Sequence, residues 1–292
     1  MSKGGVRLAQ LQHQIENGLL SLFYPAWVSL RRPSPPGKRK LDRTKFELTF
    51  EDDFKSLDFS RWHIRRHLDG TPITVRKGGF WSPEQAFVEN GCLHIRAHHL
   101  VDGPYGPGYY AACLDTAGSF EQTYGYFECR CILPAAQGIW ASFWLQSDAV
   151  KQGVPPAQGM EIDVFESPLY KRRSENGVIT SNLHCNGYGL GHRFQNVGFF
   201  KAEDPYRSFN TYGVEWNERE YIFYINGYET ARSSFGGVSH GPEYLLLSVE
   251  VDGTGGRPGY GWSGHIGKNG PGALPADFVV DYVRAYQYRS KL

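Results

Sequence analysis

Two Asn-Gly pairs constrain this chain more than any other feature. Asn90-Gly91 stands inside "FVENGCLHIRAHH" and Asn226-Gly227 inside "YIFYINGYETAR", each flanked by alternating apolar and polar side chains. A two-residue turn of this kind needs left-handed backbone at both positions, which Asn and Gly tolerate, and its twist matches that of two antiparallel strands. The runs "GYFECRCIL", "GIWASFWLQ", "EYLLLSVEV" and "FVVDYVRAYQY" read as further strands. Between residues 45 and 292 nothing has the caps and period of a long helix, and no internal repeat is visible. Many short strands without helical crossovers predict an all-β chain, a jelly-roll sandwich of two antiparallel sheets with an open concave cleft.

The 292 residues suit one large sandwich. Residues 1–44 read as an N-terminal extension, with a helix over 6–22 interrupted by Gly18 and a solvated Pro-rich basic linker at 31–40. Residues 45–292 read as the main domain. The apolar patch from Leu19 to Leu30 sits behind a polar stretch and lacks a small-residue cleavage site, so a cytoplasmic protein is expected, or a secreted one if a native leader has been removed. No segment reaches the roughly 20 apolar residues of a membrane helix. With 31 basic and 30 acidic side chains, no footprint for nucleic acid or an acidic membrane is expected. A monomer is the plain expectation. The five cysteines (Cys92, Cys113, Cys129, Cys131 and Cys185) are odd in number and show no CxxC spacing, so they read as small buried side chains. Aromatics at 15%, with 35 Gly and 17 Pro, suit a β protein that handles a flat, hydroxylated ligand.

Residues 159–168, "GMEIDVFESP", place three carboxylates in a strand-like run. Burying an unpaired carboxylate costs several kcal/mol, so such a strand either exposes that face or uses it. Alternation points Glu161 and Asp163 one way and sends Ile162 and Val164 into the core. Strict alternation would turn Glu166 inward. One extra residue near Val164 or Phe165, a β-bulge, restores the phase, so the sequence predicts a bulge between Asp163 and Glu166. Glu161 and Glu166 would then lie about 13 Å apart at Cα. Leaning together, their carboxyls would reach the ~5–5.5 Å of a retaining glycosidase, one attacking the anomeric carbon and the other serving as acid and then base. Asp163 between them would hold the nucleophile and help keep the acid protonated. The competing readings are a solvated polar face and a calcium site, although the calcium-loop spacing with its turn glycine is absent.

The motif "GMEIDVFE" resembles the Glu-x-Asp-x-x-Glu signature of glycoside hydrolase family 16, in its β-bulged laminarinase/agarase-like form. "SFEQTYGYFECRCILPAAQGIWASFWLQ", "FNTYGVEWNEREYIFYINGYE" and "FVVDYVRAYQY" resemble other segments of that family in the same order, over about residues 46 to 288. The resemblance implies a jelly roll with an open cleft and retaining endo-hydrolysis of a β-linked polysaccharide or its oligosaccharides. Glu161 becomes the nucleophile, Asp163 its helper and Glu166 the acid/base. Trp140 and Trp144 take the family's cleft tryptophan positions, with a core role for at least one of them. His184 matches a strand histidine that either meets the nucleophile region or a sugar hydroxyl, or is structural. Glu215 matches a structural glutamate. Trp262, with Tyr260 and His265 nearby, falls on a loop over one end of the cleft.

There are departures. "GGFWSPEQAFVENG" offers Trp81 and Glu84 as substrate contacts where β-1,3-glucanases have an asparagine-rich stretch ending in Glu-x-Gln, and the catalytic strand continues "ESPLY". The favoured substrate is a β-1,3- or β-1,3-1,4-glucan. Xyloglucan and the red-algal galactans agarose, porphyran and carrageenan are alternatives, and so are transglycosylation and a sugar-binding lectin on the same fold. No cofactor is expected for catalysis. Asp52, Asp53 and Asp281 match segments that hold a structural calcium in some relatives, so Asp53 and Asp281 are the candidate metal ligands.

Overall fold

The computed structural model describes residues 33–168, 170, 176–266 and 273–290. Its strands build two large sheets. In the inner sheet the order across the strands is Arg193–Lys201, Val178–Cys185, Glu161–Glu166, Ile139–Gln146, Glu243–Val251, Cys113–Asp115 and His63–Ile64. In the outer sheet, the path Tyr228–Ser233, Tyr221–Ile225, Asn210–Trp216, Gly125–Ile132, Ala276–Tyr288 and Cys92–Leu100 carries further short strands at its end. Phe46–Asp52 pairs with Ala276–Tyr288 as well. Among the described strand pairings, the one between Gly79–Trp81 and Gly108–Ala111 is parallel. The long strands around it are all antiparallel, as the jelly roll requires.

Both Asn-Gly pairs form the expected turns. Asn90 and Gly91 have φ of 52° and 72°, and Asn226 and Gly227 have 50° and 77°. They join Glu89 to Cys92 and Ile225 to Tyr228, each a cross-strand pair. Between the sheets, alternate residues interlock: Phe143, Leu145, Ile162, Leu183, Leu245 and Leu247 from the inner sheet meet Leu93, Ile95, Phe127, Cys129, Phe278 and Val283 from the outer one, all fully buried. Phe165 is the clasp that ties the acidic strand to this core, with its ring 4.5 Å from Tyr212 and 6.0 Å from Phe278. All five cysteines are free, and all but Cys92 are buried.

Over its described part the basic Pro-rich segment is mostly exposed, and its backbone is tied to the outer sheet. Gly37 and Leu41 donate their amides to Glu229 and Gly227 carbonyls at 2.6 and 2.8 Å, and Glu229 N–H returns to Arg39 C=O at 2.8 Å. Arg39 also pairs with the Glu229 carboxylate at 3.4 Å. The reason is the edge of the outer sheet: strand Tyr228–Ser233 presents unpaired backbone groups, and residues 37–41 satisfy them. The expected helix over 6–22 and the Leu19–Leu30 patch lie outside the described residues. Among the described residues no helix is long and apolar enough to cross a membrane.

Glu215 has a structural role, accepting from the hydroxyls of Tyr224 and Tyr288 at 2.9 and 2.8 Å. Its neighbour Trp216 is fully buried and donates its indole N–H to Ser239 C=O at 3.1 Å.

Glu243 fixes the approach to the acidic strand. Its fully buried carboxyl accepts the amide N–H of Met160 at 3.0 Å. Burial pushes it up to about 8 from an ordinary 4.5. The fold then keeps a proton that the unfolded chain has released, so its contribution to stability falls as pH rises from 4.5 towards about 8. Glu243→Gln keeps the acceptor for Met160 and removes the charge. It is expected to melt a few degrees above wild type near pH ~9 and level with it near pH ~4, which thermal denaturation across that range measures.

Candidate active site

The acidic strand is bulged where the sequence required it. Against the strand Ile139–Gln146, Asp163 lies opposite Trp144 and Phe165 opposite Phe143, which leaves Val164 as the extra residue. The pairing with Val178–Cys185 shifts between Asp163 and Glu166 as well. The consequence is geometric. Ile162 and Phe165 stay in the core, while Glu161, Asp163 and Glu166 share the opposite face with Trp140, Ser142, Trp144 and Gln146 on one side and Asn182 and His184 on the other.

Glu161 accepts at Oε2 from Gln146 Nε2 at 2.9 Å and from the Tyr188 hydroxyl. Glu166 is held at both oxygens. Trp140 Nε1 donates to Oε1 at 3.1 Å, and Asn182 Nδ2 donates to Oε2 at 2.6 Å. Asp163, between them and 4% exposed, faces His184: Nε2 lies 3.2 Å from Oδ2 and 3.8 Å from Glu161 Oε1. The 3.2 Å approach is an ion-pair contact without hydrogen-bond alignment. His184 Nδ1 meets His192 Nε2 at 2.9 Å, and the two rings stack with their planes 2° apart.

Electrostatics separates the three acids. Desolvation, and then the charge of Asp163, raise half-buried Glu166 well above the usual carboxylate range, which favours its protonated form. Burial and the Glu161 charge bring Asp163 up to about 6, against the pull of His184. For His184 burial favours the neutral ring, but Asp163, Glu161 and Glu166 together outweigh it and raise the imidazole to about 9. Between about pH 6 and 9, therefore, the site holds Asp163 ionised beside an imidazolium. Although the Tyr188 ring is largely exposed, desolvation at its hydroxyl end and the neighbouring Glu161 push that hydroxyl above its ordinary range, so it remains a donor.

Donor atoms of Glu161, Asp163 and His184 lie within 4.8 Å of one another, a spacing that suits a metal. Without a metal, His184 near neutrality is an imidazolium beside Asp163 and Glu161, and a metal would have to displace that proton to bind there. The residues expected to hold calcium have other partners in this structure. Asp53 pairs with Lys55 at 2.9 Å, and Asp281 pairs with Arg130. Asp52 is engaged by Trp62 Nε1 at 3.0 Å and Phe54 N–H at 2.9 Å.

The remaining expected contacts divide. Trp140 and Trp144 both lie on the acid-bearing face, but they are only 4% and 8% exposed. Trp262 packs edge-on against Trp140 at 5.4 Å, with Lys77 Nζ 5.9 Å from the same ring. Trp144 is covered by the Arg65 guanidinium at 5.8 Å, and its indole N–H donates to Ser248. Trp140 thus meets the acid directly, and Trp262 reaches the site through Trp140. Trp81 is as buried as Trp140, at 4% exposed: its N–H donates to Val249 C=O at 2.9 Å, and the Arg76 guanidinium, which pairs with Glu250, lies 5.2 Å from its ring. Glu84 is exposed in a short 3-10 turn, where Ser82 Oγ donates to it. Sequence reading passed over Asn182, Gln146, Tyr188 and Arg65. The first two were within reach, since each sits two residues from a recognised cleft residue on its own strand. Tyr188 stands on the irregular segment "NGYGLGH", where no periodicity points anywhere.

The His184 charge yields a test. A base raised from 6.5 to about 9 contributes stability that is fully present below 6.5 and lost as pH rises through about 9. His184→Phe keeps the stacking on His192 and Phe194. The melting temperature of wild type should exceed that of the variant near pH ~7, and the difference should shrink as pH passes ~9.

Endo-1,3-1,4-beta-glycanase ExsH of Rhizobium meliloti (strain 1021) is 28% identical to this chain over 279 residues, covering 84% of the chain and 53% of that protein, so the chain spans about half of that relative's length. A beta-glucanase of Rhodothermus marinus is 30% identical over 219 residues, covering 70% of the chain and 71% of that protein. The solved catalytic domain of an endo-1,3-beta-glucanase (laminarinase) from Thermotoga petrophila RKU-1 superposes with a TM-score of 0.67 at 26% identity, covering 84% of this chain and 99% of that one. The family model of glycosyl hydrolases family 16 matches residues 75–240, more than half of the chain and the whole of the bulged acidic strand, and the chain belongs to that family.

Proposed function

We propose that this chain is a retaining, endo-acting glycoside hydrolase that cleaves a β-1,3- or β-1,3-1,4-glucan or its oligosaccharides. The observation that carries the reading is the pair of unlike carboxyls on one bulged strand: Glu161 is held by two donors, while half-buried Glu166 is raised well above the usual carboxylate range, which favours its protonated form. In the first step a Glu161 oxygen bonds to the anomeric carbon as the bond to the glycosidic oxygen breaks. The departing oxygen takes the electron pair and the Glu166 proton. In the second step Glu166, now ionised, removes a proton from water as that water attacks the same carbon. The ester bond breaks, and Glu161 returns as carboxylate. Asp163 and His184 balance charge beside Glu161 throughout, and the Trp140 and Asn182 donors aim Glu166. No cofactor enters either step. The partner in this reading is a polysaccharide or oligosaccharide met by a monomer. A calcium ion at Asp53 and Asp281 would first have to displace Lys55 and Arg130.

Product profiling of the purified protein against laminarin, lichenan, xyloglucan, agarose, porphyran and carrageenan tests this. Oligosaccharides are expected from laminarin or lichenan, and none from Glu161→Gln. Products from a galactan alone would overturn the glucan assignment, and binding without cleavage would favour the lectin reading. Glu166→Ala should lose roughly 10²–10⁴-fold on polymer. It should recover much of that loss on an aryl glycoside whose leaving group needs no proton, and equal loss on both substrates would overturn its role.

A further inference from the structure

Gln146 lies opposite Glu161 in the strand register and is 2% exposed. Its amide is caught between groups that fix its direction. Arg65 Nη2 donates to its Oε1, and Nε2 reaches Glu161 Oε2 at 2.9 Å. A guanidinium only donates and a carboxylate only accepts, so the amide has one orientation that satisfies both. Arg65 is itself 5% exposed and immobilised: its Nη1 donates to Asp115 Oδ2 at 3.1 Å and to the Tyr244 hydroxyl at 3.0 Å. The Tyr244 hydroxyl lies within hydrogen-bond reach of Asp148 Oδ1, at 2.8 Å, and of Gln146 Oε1, at 3.1 Å, both of them acceptors. The second N–H of Gln146 goes to the Tyr188 oxygen, and the Tyr188 proton goes to Glu161 Oε2. The Gln146 amide and the Tyr188 hydroxyl therefore converge on one oxygen, Glu161 Oε2. Glu161 Oε1 receives neither.

We propose that Gln146 is a positioning residue that selects the attacking oxygen of Glu161, anchored by the buried Arg65–Asp115 pair and closed by Tyr188. This rests on reading Glu161 as the nucleophile. Oε2 is tethered by two donors, so Oε1 supplies the electron pair that bonds to the anomeric carbon while the glycosidic bond breaks and its oxygen takes the Glu166 proton. Oε1 then becomes the ester oxygen and Oε2 the ester carbonyl, still facing the same two donors. The donors need not move between the carboxylate and the ester, which is the sense in which the site is preorganised. Nothing in the strand motif itself encodes this choice of oxygen, because Gln146 comes from the adjacent strand and Arg65 from the segment just after His63–Ile64.

The test measures kcat and KM on a soluble β-glucan oligosaccharide for wild type, Gln146→Met and Tyr188→Phe. Alongside, mass spectrometry follows the rate at which a 2-deoxy-2-fluoroglycosyl fluoride traps Glu161 as its ester. Fluoride leaves with little help from an acid, so the trapping rate isolates the nucleophile. Gln146→Met is expected to lose roughly 10- to 100-fold in both kcat and trapping rate, with KM nearly unchanged. Tyr188→Phe should show a smaller loss of the same kind. Wild-type trapping rates in both variants would overturn the proposal. If Gln146→Met does not fold, the 43%-exposed Tyr188 carries the test, and an unchanged trapping rate in Tyr188→Phe overturns it alone. A wild-type protein that is neither active nor trapped would overturn the glycosidase reading and this inference with it.

Discussion

One unpaired residue, Val164, decides what this sandwich can do. The acidic strand must keep Phe165 wedged between Tyr212 and Phe278 in the core while turning Glu166 to the opposite face. An unbroken strand cannot do both, because its side chains alternate strictly. The bulge absorbs one residue and leaves apolar packing on one side of the strand and three carboxylates on the other. The core anchors the bulge: the neighbouring strands bracket it through Phe143 and through Ser181, whose hydroxyl donates to the freed Val164 carbonyl at 2.8 Å.

Three acids on one face repel one another, and the structure meets that with two different devices. One is charge: the imidazolium of His184, raised by its acidic neighbours, sits 3.2 Å from Asp163 and offsets the pair nearest Glu161. The other is a shift towards the neutral form: desolvation and the charge of Asp163 raise half-buried Glu166 well above the usual carboxylate range. Both devices follow from desolvation, which penalises any charge left without a partner and so sorts the carboxyls into different protonation states. Tethering by neutral donors then fixes direction. Gln146 and Tyr188 hold one glutamate, and Trp140 and Asn182 hold the other.

The outer sheet serves this arrangement at a distance. It supplies the Tyr212 and Phe278 rings beneath the acidic strand, and its exposed edge is sealed by residues 37–41, a stretch whose Pro-rich basic composition suggested only a solvated tether. Composition reports the intrinsic preference of such a segment. It says nothing of a neighbouring edge with backbone groups to satisfy.

Local sequence determined a good deal: hairpins at both Asn-Gly pairs, an all-β chain, and a bulge between Asp163 and Glu166. Each rests on short-range rules of turn stereochemistry, alternation and the cost of a buried acid, which act over a handful of residues. Trp81 and Trp140 show where those rules stop, since both are 4% exposed and only the tertiary contacts tell which one meets the acid. The carboxylates that looked like calcium ligands met Lys55 and Arg130 in space. The partners of Glu161 (Gln146 from the adjacent strand, Arg65 behind it and Tyr188 from a loop) are assembled from separate parts of the chain. The sequence named the reactive groups because their chemistry is local. Which oxygen is free, which proton is kept and which tryptophan faces the site depend on desolvation and long-range contact, and only the tertiary structure decided them.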